Sequence, residues 1–230
     1  MENESNKKVI VKKILKTVII IVSTLLVLIL IQLISRISIL MDMANKTKLL
    51  DDINNYYATM SSINGSTSFV LTSYCKDDSL LSNFKQFNDS NNSISELLMY
   101  KNTQENEAIV LSSHNFQKSQ AQIFDLKTEQ PSCFIVGLSN RRINFEFNSI
   151  SDFISTLKDI KSITSVYCNN KNCYSFQMHD GSQIWIDKET ALPVKEVLFD
   201  EMTYYTYSLN SVTDENVKRP NLTGYEIKQN

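Results

Sequence analysis

SITSVYCNNKNCYSFQMHDGSQIWIDKETALPVKEVLFDEMTYYTYSL, residues 162–209, decides the fold. It divides into short β-rich runs at Ser162–Cys168, Cys173–His179, Ser182–Asp187, Leu192–Phe199 and Thr203–Leu209. The links between them are Asn169–Asn172, Asp180-Gly181, Lys188-Glu189-Thr190 and Asp200-Glu201. Links this short join antiparallel neighbours, because parallel pairing needs a crossover of about a dozen residues or more. Tyr174, Phe176 and Met178 alternate with polar residues, and Ile184 and Ile186 flank Trp185, which marks one apolar face. A curved antiparallel sheet of this kind, packed on a few helices, is an α+β domain.

Upstream, Ser149–Ile160 predicts a helix. Ile150, Phe153, Ile154, Leu157 and Ile160 fall on one side, and Ser149 with Asp152 forms a capping-box-like start. Further strands are expected at Ser66–Cys75, Glu107–Ser112, Gln120–Leu126, Cys133–Gly137 and Arg142–Phe147. Between the first two, the segment from Asp77 to Glu107 is polar and rich in Asn and Ser, and reads as a loop with a short helix. Leu49, Leu50, Ile53, Tyr57, Met60 and Ile63 recur at spacings near three and four, which predicts a helix over 44–63 ended by Asn64-Gly65. That apolar stripe would pack on the domain's own sheet or, in a homodimer, on its copy. The tail from Asp214 to Asn230 is expected to be ordered only to about Tyr225.

The other decisive stretch is TVIIIVSTLLVLILIQLIS, residues 17–35, which carries no charge. As a helix it is about 28 Å long, close to the roughly 30 Å hydrocarbon thickness of a bilayer. Lys7, Lys8, Lys12, Lys13 and Lys16 precede it, whereas basic and acidic residues are mixed behind it. The positive-inside bias then places residues 1–16 in the cytoplasm, a transmembrane helix at 17–36, a juxtamembrane segment and first domain helix at 37–63, and an extracytoplasmic domain at 64–230. The run is longer than a signal-peptide core, and Met41-Asp42-Met43-Ala44 is a poor cleavage site, so an uncleaved anchor is expected.

At 230 residues and 26.4 kDa the chain holds one ordinary domain plus this appendage. Its 42% hydrophobic content, four glycines and three prolines exclude collagen-like and wholly disordered chains. The net charge of −2 divides into +4 over residues 1–36 and −6 over the remainder, which argues against nucleic acid as a partner. With so few glycines and no Gly-rich phosphate loop, no nucleotide cofactor is expected. His114 and His179 lie beside turns with no nucleophile motif around them, so no catalytic residues are assigned and an enzyme is not expected.

Cys168 and Cys173 flank the four-residue link between two strands and are expected to face one another, at a separation a disulfide accommodates. A lone C-x4-C without a nearby histidine is a weak metal motif, and no metal is assigned. Cys75 and Cys133 are either a second pair or two buried thiols.

The stretch GSQIWIDKETALPVKEVLFD, followed by TYYTYSLNSVTDENVKRPNLTGYEI, resembles the C-terminal part of the LolA-like superfamily. That superfamily holds lipoprotein carriers, RseB-type regulators and germination lipoproteins of spore-forming Firmicutes, and the Lys, Ile and Asn bias here suits a low-GC bacterium. The resemblance covers the turn Asp187-Lys188-Glu189-Thr190 and the strand opening Leu192-Pro193-Val194, about a fifth of the chain. The retained span and the insert from Asp77 to Glu107 depart from the carriers. It implies an incomplete barrel of antiparallel strands around helices, with an apolar groove suited to acyl chains. Phe176, Ile184, Ile186, Tyr205 and Tyr207 are its candidate lining. A solid core built from the same residues is the alternative. The function expected on this basis is non-catalytic binding of a lipid, lipoprotein or envelope component at the membrane, or of a protein partner in a regulatory role.

Overall fold

The computed structural model describes residues 2–50, 52–90, 92–129, 131, 135–138, 143 and 145–229, in two units, 1–42 and 43–230. The first unit is helical throughout its described length. It belongs to α1, Glu2–Leu50, one continuous helix whose portion Lys13–Leu50 is long and apolar enough to cross a membrane. In its most apolar window no residue is buried by the rest of the protein.

The second unit is a 12-stranded sheet. After α1 comes an antiparallel meander of β1 (Asn55–Asn64), β2 (Thr67–Lys76), β3 (Ser79–Asn88), β4 (Ser93–Asn102), β5 (Glu107–His114) and β6 (Gln117–Asp125). A connection leads to α2 (Ile150–Asp159), and a second meander follows: β7 (Ile160–Cys168), β8 (Lys171–Met178), β9 (Gln183–Asp187), β10 (Pro193–Leu198) and β11 (Glu201–Leu209). A 3₁₀ turn at Asp214–Val217 precedes β12, Glu226–Gln229. In space the order is β12-β6-β5-β4-β3-β2-β1-β11-β10-β9-β8-β7. The last strand of the second meander thus pairs with the first strand of the first, and the sheet stays open with β7 and β12 at its edges. Among the described residues, β12 on β6 is the one parallel pairing.

The second meander stands where the sequence placed it, and the α+β class holds. Ser149 caps α2, its hydroxyl accepting the Asp152 amide at 3.1 Å. Four expectations do not hold. The helix expected over 44–63 ends at Leu50, and its second half is β1. Tyr56, Ala58 and Met60 alternate inward there, with Ala58 and Ser62 fully buried; the apparent helical stripe had combined Met60 with Tyr57 and Ile63, which fall three apart but lie on the opposite face of the strand.

The expected loop in the segment from Asp77 to Glu107 is the hairpin of β3 and β4, paired from Ser79↔Asn102 to Asn88↔Ser93. Its Ser and Asn residues lack β propensity but are held by partners across the sheet, such as the Asn83 amide donating to Glu96 at 2.7 Å. The described parts of Cys133–Gly137 and Arg142–Phe147 form no strand; Cys133 and Arg142 themselves lie outside the described residues. Finally, the tail does not end its order near Tyr225, because β12 is paired from Glu226↔Gln120 to Gln229↔Ile123.

Candidate functional site

Register decides which side chains share a face, since paired residues and alternate residues point the same way. Phe176 pairs with Ile184, Ile184 with Glu196, and Glu196 with Thr203. Tyr205 and Tyr207 follow Thr203 at strand period two, and Ile186 follows Ile184. All five candidate groove residues therefore lie on one face of the sheet.

They form two patches on it. Phe176, Ile184 and Ile186 are at most 1% exposed, and Phe145 from the β6–α2 connection meets Phe176 edge-on at 5.9 Å. Tyr205 and Tyr207 are half-buried and stack nearly parallel, with centroids 6.4 Å apart, against Ala58, Leu71 and Val136. Val136 also belongs to the connection, and its amide donates to the Ser73 hydroxyl at 3.0 Å, which is bonded in turn to Ser82 at 2.8 Å. Two buried serines thus provide a polar seat for a backbone crossing an apolar face, which satisfies groups that would otherwise be unpaired. Near the end of α1, Leu50 packs with Leu138 and Leu192, and Lys46 donates to the Lys188 carbonyl at 2.6 Å. Val136, Leu138 and Phe145 of the chain's own connection therefore occupy this face.

The turn singled out by the resemblance is organised by Asp187, which is buried. Its carboxylate accepts Lys171 Nζ at 2.8 Å, the Glu189 amide at 3.0 Å and Thr190 Oγ1 at 3.1 Å. Burial by itself would raise this carboxyl, but the three donors outweigh it and hold it below its ordinary value. The saturated carboxylate fixes the β9–β10 turn.

Cys168 and Cys173 do not face one another. The β7–β8 turn is the pair Asn169-Asn170, both at positive φ, which asparagine tolerates and which suits the twist of a two-residue hairpin. Cys168 consequently pairs with Lys171 and Cys173 with Val166, and both thiols are free. This corrects the expected four-residue link and its facing pair. Burial pushes the Cys173 thiol up to about 11 and raises Cys75 as well. Cys75 is also a free thiol, and Cys133 lies outside the described residues.

A pocket of about 210 Å³ is lined by Asp159, Met178, His179 and Asp180, and none of the five groove residues borders it. His114 sits apart, its ring Nδ1 3.2 Å from the Ser95 hydroxyl. Among the described residues no cluster of three metal-ligating side chains occurs.

The sequence expected order to about Tyr225, with its ring docked on the domain, but not the route of the tail nor its continuation into β12. From the central strand β11 it crosses to the far edge, with Lys76 paired to Asp214, Arg219 to Glu107, and Lys118 donating to the Thr223 carbonyl at 2.7 Å. Leu222 and Tyr225 cover Tyr100, Ile109, Leu111 and Ala121, which face away from the groove side. The available signal was the apolar alternation Leu98, Tyr100 on one strand and Ile109, Leu111 on the next, a second face needing a cover.

No known protein family matches the chain, and no curated protein does. Among solved structures, PNGF-II in space groups P21 and C2 is similar at 9% and 8% identity, with TM-scores of 0.26 and 0.24. The matches cover 77% and 76% of this chain and 32% and 31% of PNGF-II, so the chain spans about a third of the length of these structures. Likeness at that level carries no argument about fold or activity.

Proposed function

We propose that the chain is a single-pass membrane protein with a cytoplasmic N-terminus, carrying a non-catalytic extracytoplasmic binding domain of the LolA-like kind. The observation that carries the reading is the continuous apolar helix joined directly to a β domain, with lysines concentrated ahead of the span. The open antiparallel sheet with few helices supports the LolA-like part.

Within this reading the ligand is a protein, or a lipoprotein held by its protein part, in preference to a free acyl chain. The support is the occupied face: Phe145 and Val136 stand where acyl chains would lie against Phe176 and Tyr207. A filled core leaves the outer surface and loops for recognition.

Native mass spectrometry of the full-length chain, gently extracted from its membrane and compared before and after organic extraction, tests this. The reading expects no lipid held in fixed ratio, and a stoichiometric protein recovered on cross-linking in native membranes. A lipid lost on extraction would return the ligand to the groove, and recovery of no partner would contradict a binding role.

A further inference from the structure

The tail docks on the sheet in the manner of a bound peptide. No turn joins β12 to β6: the chain leaves β11 at Leu209, crosses along residues 210–225 and adds four residues in parallel to the outer side of β6. Addition of a short extended segment to a sheet edge, with side chains seated on the adjoining face, is how sheets take up peptides. The seats are specific. Glu107 takes the Arg219 guanidinium with two prongs, the buried cluster of Tyr100, Ile109, Leu111 and Ala121 takes Leu222 and Tyr225, and Lys118 clasps the backbone between them. The Lys118 ammonium donates to the Thr223 carbonyl at 2.7 Å and stands 5.1 Å from the centre of the Tyr225 ring. Gly224 lies beneath at a φ of +87°, where a Cβ would meet Lys118 Cδ at 3.3 Å, so glycine serves both the turn and the close approach. Little else holds the segment. Glu226, Ile227 and Lys228 are exposed, and the Asp214 side chain that pairs with Lys76 is itself 90% exposed. Segments with few buried contacts and exposed ion pairs open locally well before the domain unfolds.

We propose that the tail is an autoinhibitory strap: it occupies, in its own chain, the site at which an extended segment of a protein partner adds in parallel to β6. The tail specifies the segment that replaces it. That segment carries a basic residue, an apolar residue three positions on, glycine and an aromatic residue at five and six, and an apolar residue at eight, as Arg219, Leu222, Gly224, Tyr225 and Ile227 do. The basic residue meets the Glu107 carboxylate, and the apolar residues cover the cluster that Leu222 and Tyr225 now cover. Tethering gives the strap an effective concentration on the order of millimolar, so a partner segment of equal fit binds only to the fraction of chains whose strap is open. The inference rests on the proposed binding role, whose partner it places at the β6 edge.

The test uses the full-length chain in detergent micelles and a fluorescein-labelled peptide of residues 214–230. Arg219→Ala combined with Tyr225→Ala weakens the strap and leaves Glu107, Lys118 and the buried cluster as they are. Fluorescence anisotropy should show the peptide binding this double variant at least tenfold more tightly than the unaltered chain, and hydrogen exchange at Gln120–Ile123 should slow when it is added. Glu107→Arg in the double variant should abolish the binding, and a peptide carrying Arg219→Glu should restore it, a rescue that a folding defect would not show. Equal affinity for the two chains, binding to neither, or binding indifferent to Glu107→Arg overturns the strap. In native membranes the double variant should enrich the protein cross-linked to the chain. A partner whose yield ignores the tail overturns this placement and leaves the binding role standing, and a species of doubled mass joined through the tail, in place of a different protein, overturns the partner assigned here. The anisotropy result decides the strap even where no partner is recovered, an outcome that counts against the binding role alone.

Discussion

Arg219 holds Glu107 with two prongs across 112 residues of chain: Nε donates to Oε2 at 2.8 Å and Nη2 to Oε1 at 2.9 Å. Planar two-point pairing of this kind is geometrically selective, unlike a single lysine contact. It fastens the tail to the first residue of β5, upstream of the point where Leu222 and Tyr225 close over the sheet.

Arg219→Ala is therefore expected to loosen the tail more than the domain. The loss in global stability is about 1 kcal/mol, as for a well-formed but partly exposed pair. Hydrogen exchange at Glu226–Gln229 and at the paired β6 residues Gln120–Ile123 should accelerate well beyond exchange in β8 and β9. Uniform acceleration over all strands would contradict a local fastening.

Acid should release the same tail. Hydrogen bonding from Arg219 lowers the Glu107 carboxyl from its usual 4.5, against a smaller opposing effect of burial. A group whose folded value is depressed stabilises above its unfolded value, and the contribution is lost as pH falls through the folded one. Tail protection is thus constant above about pH 5 and declines below the ordinary carboxylate range. Arg219→Gln should remove that decline, and exchange measured along a pH series reads it directly.

Asp187 predicts a sharper local effect. Replacement by Ala removes three accepted hydrogen bonds, one from an ammonium, and leaves Lys171, the Glu189 amide and Thr190 unpaired; the expected cost is about 2–3 kcal/mol. Asp187→Asn keeps the acceptor oxygen and should lose less than half of that. Chemical denaturation of both variants checks the order, and equal losses would contradict the hydrogen-bond account.

Phe176→Ala removes a fully buried ring from contact with Phe145 and Tyr174, and about 3–5 kcal/mol, or roughly 10 °C in Tm, should be lost. Were the face an open groove, the loss would be under about 1 kcal/mol. Calorimetry separates the two.

Much of this was legible beforehand. The second meander was readable because its turns are tight and its strands rich in Val, Ile, Tyr and Phe, so that local propensity and pattern agree. Tyr56 to Ile63 misled because a strand of aromatic, Ala, Met and Ser residues has weak alternation, and its inner positions are decided by β11 and β2 on either side. The β3–β4 hairpin was hidden for a related reason: Asn83 and Ser82 are strand residues only by virtue of Glu96 and Ser73. The five candidate groove residues share one face, which the strand register alone decides. Their occupation by Phe145 and Val136 was not readable, because a connection's destination is a long-range property.

The cysteines offer a further check on the corrected register. Burial keeps the Cys173 thiol near 11 and raises Cys75, so few thiolates exist at pH 8 and alkylation is slow at both. Mass spectrometry of native protein pulsed with iodoacetamide should find Cys173 unmodified until denaturant is added. Rapid native labelling there would contradict its burial, and a Cys168–Cys173 peptide in unreduced digests would contradict the free thiols.

The claim on which most rests is that the apolar helix is a retained anchor with the β domain outside. Labelling of full-length Thr206→Cys with a membrane-impermeant maleimide on intact protoplasts, followed by intact-mass measurement, tests both parts at once. The account predicts labelling without lysis, on a chain whose mass includes residues 1–36. Labelling only after lysis, or a labelled chain lacking the span, would contradict it.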